Sequence, residues 1–526
     1  MKIRKHFIWL FCLAAVAACD PTRKSGVTLS DDGVIEIVFL HLNDVYEIAP
    51  LSDNSGGLAR VAALRKSLVA KNPNTFTVLA GDFISPSVIG TLKYEGKRIR
   101  GRQMIECLNA LGLNWVVFGN HEFDYDLEDL QARLDESNFI WMAANARLNA
   151  TAGEKPFFKN RPGGQESCPG QVTAVVRDAD GTSINLGLFG VLVTSGQKPF
   201  VSYSEPLATA VSIREGLRAK TDICVALTHL DIEDDLKLAA MLPDVPLIMG
   251  GHDHDNMIHR VGKTVVAKAD ANARTVYVHY LRYDKKKGTV SVKSELRRID
   301  GSIPDEPATA AVVAKWEQIK AAALSSDGFD AGKVVAELPE PLDCREATVR
   351  HLQAPVGQLI VGAMVAASKN QPDCAILNGG SIRVDDILTG TITELDIVRM
   401  LPFGGGFSEL EMRGSLLQRT LDAGMFNKGK GGYLHWYRIS RDEAGNRWLV
   451  NGMPLDAKKI YRVTLPDFLL TGNETNMDFL KAAPASDGKT TNPDILRISK
   501  PAPADKSDLR NDLRLALIHY LRTGRK

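Results

Sequence analysis

The chain has 526 residues, of which 44% are apolar, 7% aromatic and 24% charged, a usage that excludes a disordered chain, a collagen or a coiled coil. At roughly 100–200 residues per domain this length implies two or more domains. Lys+Arg 64 against Asp+Glu 63 offers no basic surplus for a nucleic-acid polymer, and seven cysteines are too few to build a disulfide scaffold.

Lys2, Arg4 and Lys5 precede an apolar run at 7–13 and the small residues 14–18. That is the design of an export signal, and the run is too short to span a bilayer, which takes ~20 residues. Val16-Ala17-Ala18-Cys19 resembles a bacterial lipobox. It implies a signal peptide at 1–18, lipidation of Cys19 and a cell-envelope lipoprotein facing the periplasm. Asp20 resembles a lineage-dependent inner-membrane retention signal, so inner versus outer membrane stays open. Processing removes three basic residues, leaving 61 against 63 and a net charge of −2. Five thiols remain: Cys107, Cys168, Cys224, Cys344 and Cys374. Cys107 and Cys224 lie in apolar runs and read as buried; Cys344 and Cys374 are a candidate bridge that the sequence leaves open.

Residues 19–33 are polar and turn-forming, a tether. Over 34–300, apolar runs at 35–42, 76–80, 115–118, 186–193, 223–227 and 246–249 alternate with helical patterns. Runs of this kind, bounded by Gly, Asn or Asp, predict strands buried on both faces of an α/β sheet. Residues 301–335 open with prolines and continue as an Ala/Lys/Glu helix, the predicted linker. A second, smaller α/β domain occupies 336–526, and the helical apolar spacing at 508–522 predicts a helix packed on it.

The residues immediately after these runs carry the chemistry. The strand ends meet Asn43-Asp44, Gly81-Asp82, Gly119-Asn120-His121-Glu122-Phe123-Asp124, Thr228-His229 and Gly250-Gly251-His252-Asp253-His254. Ligands of open α/β sheets bind outside the carboxyl ends of strands, so these loops can converge on one crevice. Carboxylate, carboxamide and imidazole without thiolate suit a divalent metal such as Zn or Mn. A strand-ending Asp is otherwise a helix cap, but five ordered fragments are poorly explained that way.

Those fragments resemble the calcineurin-like metallophosphoesterases, in the order of the 5'-nucleotidase family. The resemblance implies a four-layer α/β/β/α domain with two divalent metal ions, and after it a smaller nucleotide-recognising domain. It implies that Asp44 and His254 hold the first metal, that Asp82 bridges both, and that Asn120, His229 and His252 hold the second. His121 with Asp124 resembles the catalytic dyad. The family's first motif reads D-x-H; here it is Asp44-Val45-Tyr46. Tyr46 admits three readings: a phenolate ligand to a harder metal such as ferric iron, replacement by His41 or water, or a weakly binding first site. The weakened or altered site with retained hydrolysis is the favoured one.

Further fragments resemble the family's second domain. Arg345 and Arg350 lie in a partial match whose Glu and Asn are here Gln353 and Gln358. Leu377–Arg383 (LNGGSIR) resembles its NxGGIR, Met400–Gly405 its PFG loop and Leu465–Leu469 its LPxFL segment. The resemblance implies that Arg350 and Arg383 grip phosphate, that Phe403 and Phe468 sandwich a base, and that Asn378 meets a polar substrate edge. Three departures blur the substrate: Gly405 stands where an Asn is usual, Glu474 where an Asp holds ribose, and His435-Trp436-Tyr437-Arg438 where a Ser-Gly is usual. The function implied is metal-dependent release of phosphate from nucleotides. UDP-sugar or 2',3'-cyclic nucleotide hydrolysis, a sulfur-compound hydrolase on the same fold, and a catalytically degenerate nucleotide-binding lipoprotein are the rivals. No protein partner is readable.

Overall fold

The predicted strand ends belong to two six-stranded sheets packed face to face. The computed structural model describes residues 31–524 apart from 152, 195–197, 443–444 and 485–489; the signal segment and Cys19 lie outside the described residues. The first sheet runs in the order Thr289–Arg298, Thr275–Asp284, Val34–Leu42, Thr75–Ala80, Trp115–Val117, Ile140–Met142. Its last four strands are parallel. The second runs Gln171–Arg177, Ser183–Leu192, Ile223–His229, Leu247–Gly250, Thr264–Lys268, Met257–Val261, with four parallel strands at its centre.

Alternation along Val34–Leu42 shows why the runs are apolar throughout. Ile35, Ile37 and Phe39 face the second sheet, whereas Val38, Leu40 and Leu42 face the helices, as a period of two requires when both faces are covered. Helices Leu58–Lys71, Arg102–Leu111 and Leu127–Glu136 cover the first sheet, and Pro206–Leu217 and Ile232–Met241 cover the second. The result is the expected four-layer α/β/β/α stack.

Helix Pro307–Ser326 falls within the predicted linker but is docked on the first domain, against Leu58–Lys71 and Arg102–Leu111. Its Trp316 is fully buried, and the indole donates to Glu106 Oε2 (3.0 Å). The smaller domain holds a five-stranded sheet ordered Leu434–Tyr437, Cys374–Asn378, Ile460–Pro466, Phe407–Arg413, Ile495–Ser499. Helices Pro355–Ala367 and Leu513–Thr523 pack together on one face, so the terminal helical pattern does dock here; Gly414–Phe426 covers the other. The candidate Cys344–Cys374 bridge does not form: both are buried free thiols, in separate hydrophobic clusters. Cys107 and Cys224 are likewise buried and free. Among the described residues no helix is long and apolar enough to cross a membrane.

Candidate active site

The polar loops of both sheets meet at the carboxyl ends of their parallel strands, and the backbone there is held in unusual conformations. Asp44, Asp82, His252 and His254 all have positive φ, at 52°, 54°, 85° and 64°. Non-glycine residues enter this region at an energetic cost and cluster at functional sites. Neighbouring groups impose the geometry. Asn43 pairs with the Ala269 backbone through both amide atoms (2.7 and 3.0 Å) and donates to Asp44 Oδ2 (2.9 Å). Buried Glu122 accepts from the amides of Asp82, Phe83 and Gly119 at 2.7–2.9 Å. At Gly119 even a methyl group is excluded, since a Cβ would stand 2.1 Å from Asp82 Oδ1.

Asp82, His229 and His252 offer ligand atoms within 4.8 Å of one another. His229 Nδ1 faces Ala80 O (2.8 Å), which turns Nε2 toward Asp82 Oδ2 (3.2 Å) and Asn120 Oδ1 (3.1 Å). With the proton on Nδ1, three acceptors face one another, and a cation between them resolves the conflict. Burial alone would lower the His229 pKa, but Asp82 and then Asp44 outweigh it and raise it to about 9. The pocket therefore favours positive charge at this point. His252 lies against Asp231, Nε2 to Oδ1 3.4 Å.

His254 Nε2 lies 3.3 Å from Asp44 Oδ1. The Tyr46 hydroxyl stands among the same donors, 3.0 Å from His254 Nε2, 3.5 Å from Asp44 Oδ1 and 3.4 Å from Asp82 Oδ2. Burial, then the Asp82 and Asp44 carboxylates, push the phenol well above its usual pKa; these surroundings favour the neutral form over a phenolate. His41 is no substitute. It is wholly buried, its Nε2 contacts Gly250 O (3.0 Å), and burial pulls its pKa down to about 3.

His121 Nδ1 lies 2.9 Å from Asp124 Oδ2, which also accepts from Ser85 Oγ (2.9 Å). The His121 amide donates to Asp82 Oδ1 (2.8 Å), so the dyad is fixed to the carboxylate between the imidazoles. Burial would lower the His121 pKa, but Asp124 and Asp82 outweigh it and raise it. Burial would raise that of Asp124, but His121 and Arg383 hold it well below the carboxylate range.

The second domain closes over these groups around a cleft of about 480 Å³ lined by residues of both domains, among them Asp82, His121, His254, Arg350 and Asp385. Arg383 places Nη2 3.3 Å from His121 Nδ1 and 3.8 Å from Asp124 Oδ2. Its guanidinium carbon lies 5.8 Å from the centre of the Phe403 ring. Arg350 pairs with Glu346, which also approaches Arg383 (3.5 Å). Asn378 donates to Glu474 Oε2 (2.8 Å) and accepts from Ser381 Oγ (2.8 Å), so the three side chains form one polar unit. Phe403, on a loop, and Phe468, in the short helix Asp467–Thr471, stand exposed outside the cleft lining, and the Asp467 amide donates to Gly406 O (3.0 Å). His435 packs against Gly357 and contacts Val349 O through Nε2 (2.8 Å), directed into the domain.

Sequence reasoning missed several members of this cluster. Glu122 sat unread inside GNHEFD. Asp231, Asn272 and Asp385 carry no local signal, since each acquires its role from a partner in another segment, and Glu346 joins the site through Arg350 and Arg383. Asn272, for one, accepts from the Tyr46 amide (3.0 Å) across 226 positions.

Residues 37–256 match the family model of the calcineurin-like phosphoesterases, and residues 334–482 match that of the 5'-nucleotidase C-terminal domain. The first domain is thus that of a phosphoesterase. With the second domain in its place, the chain belongs to the 5'-nucleotidase family. It is similar to the 5'-nucleotidase of Bos taurus, 26% identical over 507 residues that cover 84% of this chain and 83% of that one. It is also 24% identical over 439 residues to a trifunctional nucleotide phosphoesterase of Bacillus subtilis, covering 76% of this chain and 28% of that protein. Its fold is similar to that of a 5'-nucleotidase precursor from Thermus thermophilus, with TM-score 0.70 and 22% identity over 93% of this chain and 96% of that one. A sulfate thiohydrolase of the same organism shares the fold with TM-score 0.60 and 15% identity, over 93% and 94%.

Proposed function

We propose that the protein is a metal-dependent phosphohydrolase that releases phosphate from nucleotides outside the inner membrane, where Cys19 tethers it through lipid. The observation that carries this reading is the set of opposed acceptors on Asp82, Asn120 and His229 beside the His121–Asp124 pair, with Arg383 reaching the pair from the other domain. Asp82, Asn120, His229 and His252 would hold one divalent metal, and Asp44, Asp82 and His254 a second. Bound there, such ions polarise phosphoryl oxygens and lower the pKa of water.

The protein's own groups account for the rest. Arg383 and Arg350 bind and orient the phosphate through charge-assisted hydrogen bonds. His121, protonated and held by Asp124, places positive charge where phosphoryl charge develops. Phe403 and Phe468 offer faces for a base, and the Asn378–Glu474 unit offers acceptors for sugar hydroxyls. The Tyr46 hydroxyl competes for His254 Nε2, which weakens the Asp44–His254 site while leaving the Asn120–His229–His252 site intact.

A phosphate-release panel over mononucleotides, cyclic nucleotides and UDP-sugars, each with Mn, Zn, Mg and Co, tests the proposal. Metal-dependent release, greatest on 5'-mononucleotides, is expected. Absence of release with every metal and substrate would leave a nucleotide-binding lipoprotein instead.

A further inference from the structure

Asp385 belongs to the second domain, yet its carboxylate contacts an imidazole of the first. One oxygen accepts from the Glu346 amide (2.7 Å), and the other lies in a short contact with His254 Nδ1. The backbone commits to this placement, because Asp385 has φ 44° in the left-handed region. Its neighbours are fixed as well: the Arg383 amide donates to Met400 O (2.9 Å), and Cys344 N donates to Asp386 O (3.0 Å). Asp386 then reaches Arg274 of the first domain (2.7 Å).

A carboxylate on Nδ1 selects the tautomer of an imidazole. Held at Nδ1 by Asp385, His254 turns Nε2 toward Asp44 and the Tyr46 hydroxyl, and Nε2 is the nitrogen that a metal would use in its unprotonated form. The carboxylate partner here arrives from the other side of the cleft.

Resting on the phosphohydrolase reading, we propose that Asp385 is a positioning residue that sets the tautomer and orientation of His254 from across the cleft. Metal binding at His254 and closure of the domains then reinforce each other, since each favours the state in which the other is strongest.

Co(II) titration of the full chain by chelator competition tests this, in the wild type and in Tyr46→His, where the phenol no longer competes. Asp385→Ala should weaken the His254-dependent equivalent by ~10–100-fold, the usual loss when such a partner is removed. Asp385→Asn, which retains an acceptor oxygen, should recover part of it. Asp386→Ala breaks the neighbouring interdomain ion pair and should leave Co(II) affinity within about twofold. Melting curves in chelator check that each variant is folded. Unchanged affinity in Asp385→Ala, or an equal loss in Asp386→Ala, would overturn the positioning role while leaving the phosphohydrolase reading in place. Failure of the wild type and of Tyr46→His to bind Co(II) would overturn both.

Discussion

The Tyr46 hydroxyl lies 3.0 Å from His254 Nε2, on the nitrogen that also faces Asp44. A neutral phenol there crowds the nitrogen a metal would use. Tyr46→His replaces that competitor with a ligand, and zinc affinity at the weaker site should rise at least about tenfold, the scale on which metal surroundings act. Metal analysis and calorimetry of both proteins check this. Two tightly bound zinc equivalents in the wild type would refute it.

His121→Ala should lower kcat by ~10²–10⁴-fold, the range over which a positioned acid or base contributes. Metal content should not change, because His121 stands beside the acceptor cluster without belonging to it. Loss of metal together with activity would mean that His121 is a ligand or a structural prop.

Phe403→Ala and Phe468→Ala should distinguish recognition from chemistry. An aromatic stacking contact is worth about 0.5–1.5 kcal/mol, so KM for nucleotides should rise ~2–10-fold in each. Hydrolysis of p-nitrophenyl phosphate, which lacks a base, should be unaffected. Equal effects on both substrates would argue that the two rings only shape their local backbone.

Gly119→Ala should abolish metal binding while most of the fold survives. The added methyl would meet Asp82 Oδ1 at 2.1 Å, and no flexible neighbour can yield without moving that carboxylate. A variant that retains wild-type metal affinity would show that the loop has more freedom than this contact allows.

His435 predicts a pH dependence of stability away from the metal site. Burial pulls its folded pKa down to about 4, and its Nδ1 has no hydrogen-bond partner among the described residues. An unfolded chain regains a value near 6.5, so between about 4 and 6.5 the unfolded state binds more protons. Stability should therefore be full above about pH 6.5 and fall as the pH drops toward 4. His435→Gln, which can still donate to Val349 O, should make that fall shallower in thermal melts at pH 7.5, 6 and 5. An unchanged slope would assign the acid sensitivity elsewhere.

The first domain was legible because its chemistry is written at strand ends. Six apolar runs announced six of its strands, and the residues just past them supply Asp44, Asp82, His121, His229 and His252. The boundaries moved little; the run ending at Leu227 extends as strand through His229, which is why that imidazole is wholly buried. Contacts between distant segments were invisible. Nothing near Asp385 in the sequence marks it as a partner for a histidine 131 positions earlier. The crowding of Tyr46 into the His254 site was readable only as an irregularity in a motif. The helix at 301–335 was recognisable as a helix, but its attachment rests on Trp316 and Glu106, which meet only once the fold exists.

That attachment decides where the polypeptide can be divided. A fragment ending at residue 300 would strip Trp316 from its pocket and bare the faces of Leu58–Lys71 and Arg102–Leu111 to water, so it should aggregate. A fragment ending just after Ser326 keeps that cover. The stretch between Ser326 and Val334 is therefore where limited proteolysis should separate the halves.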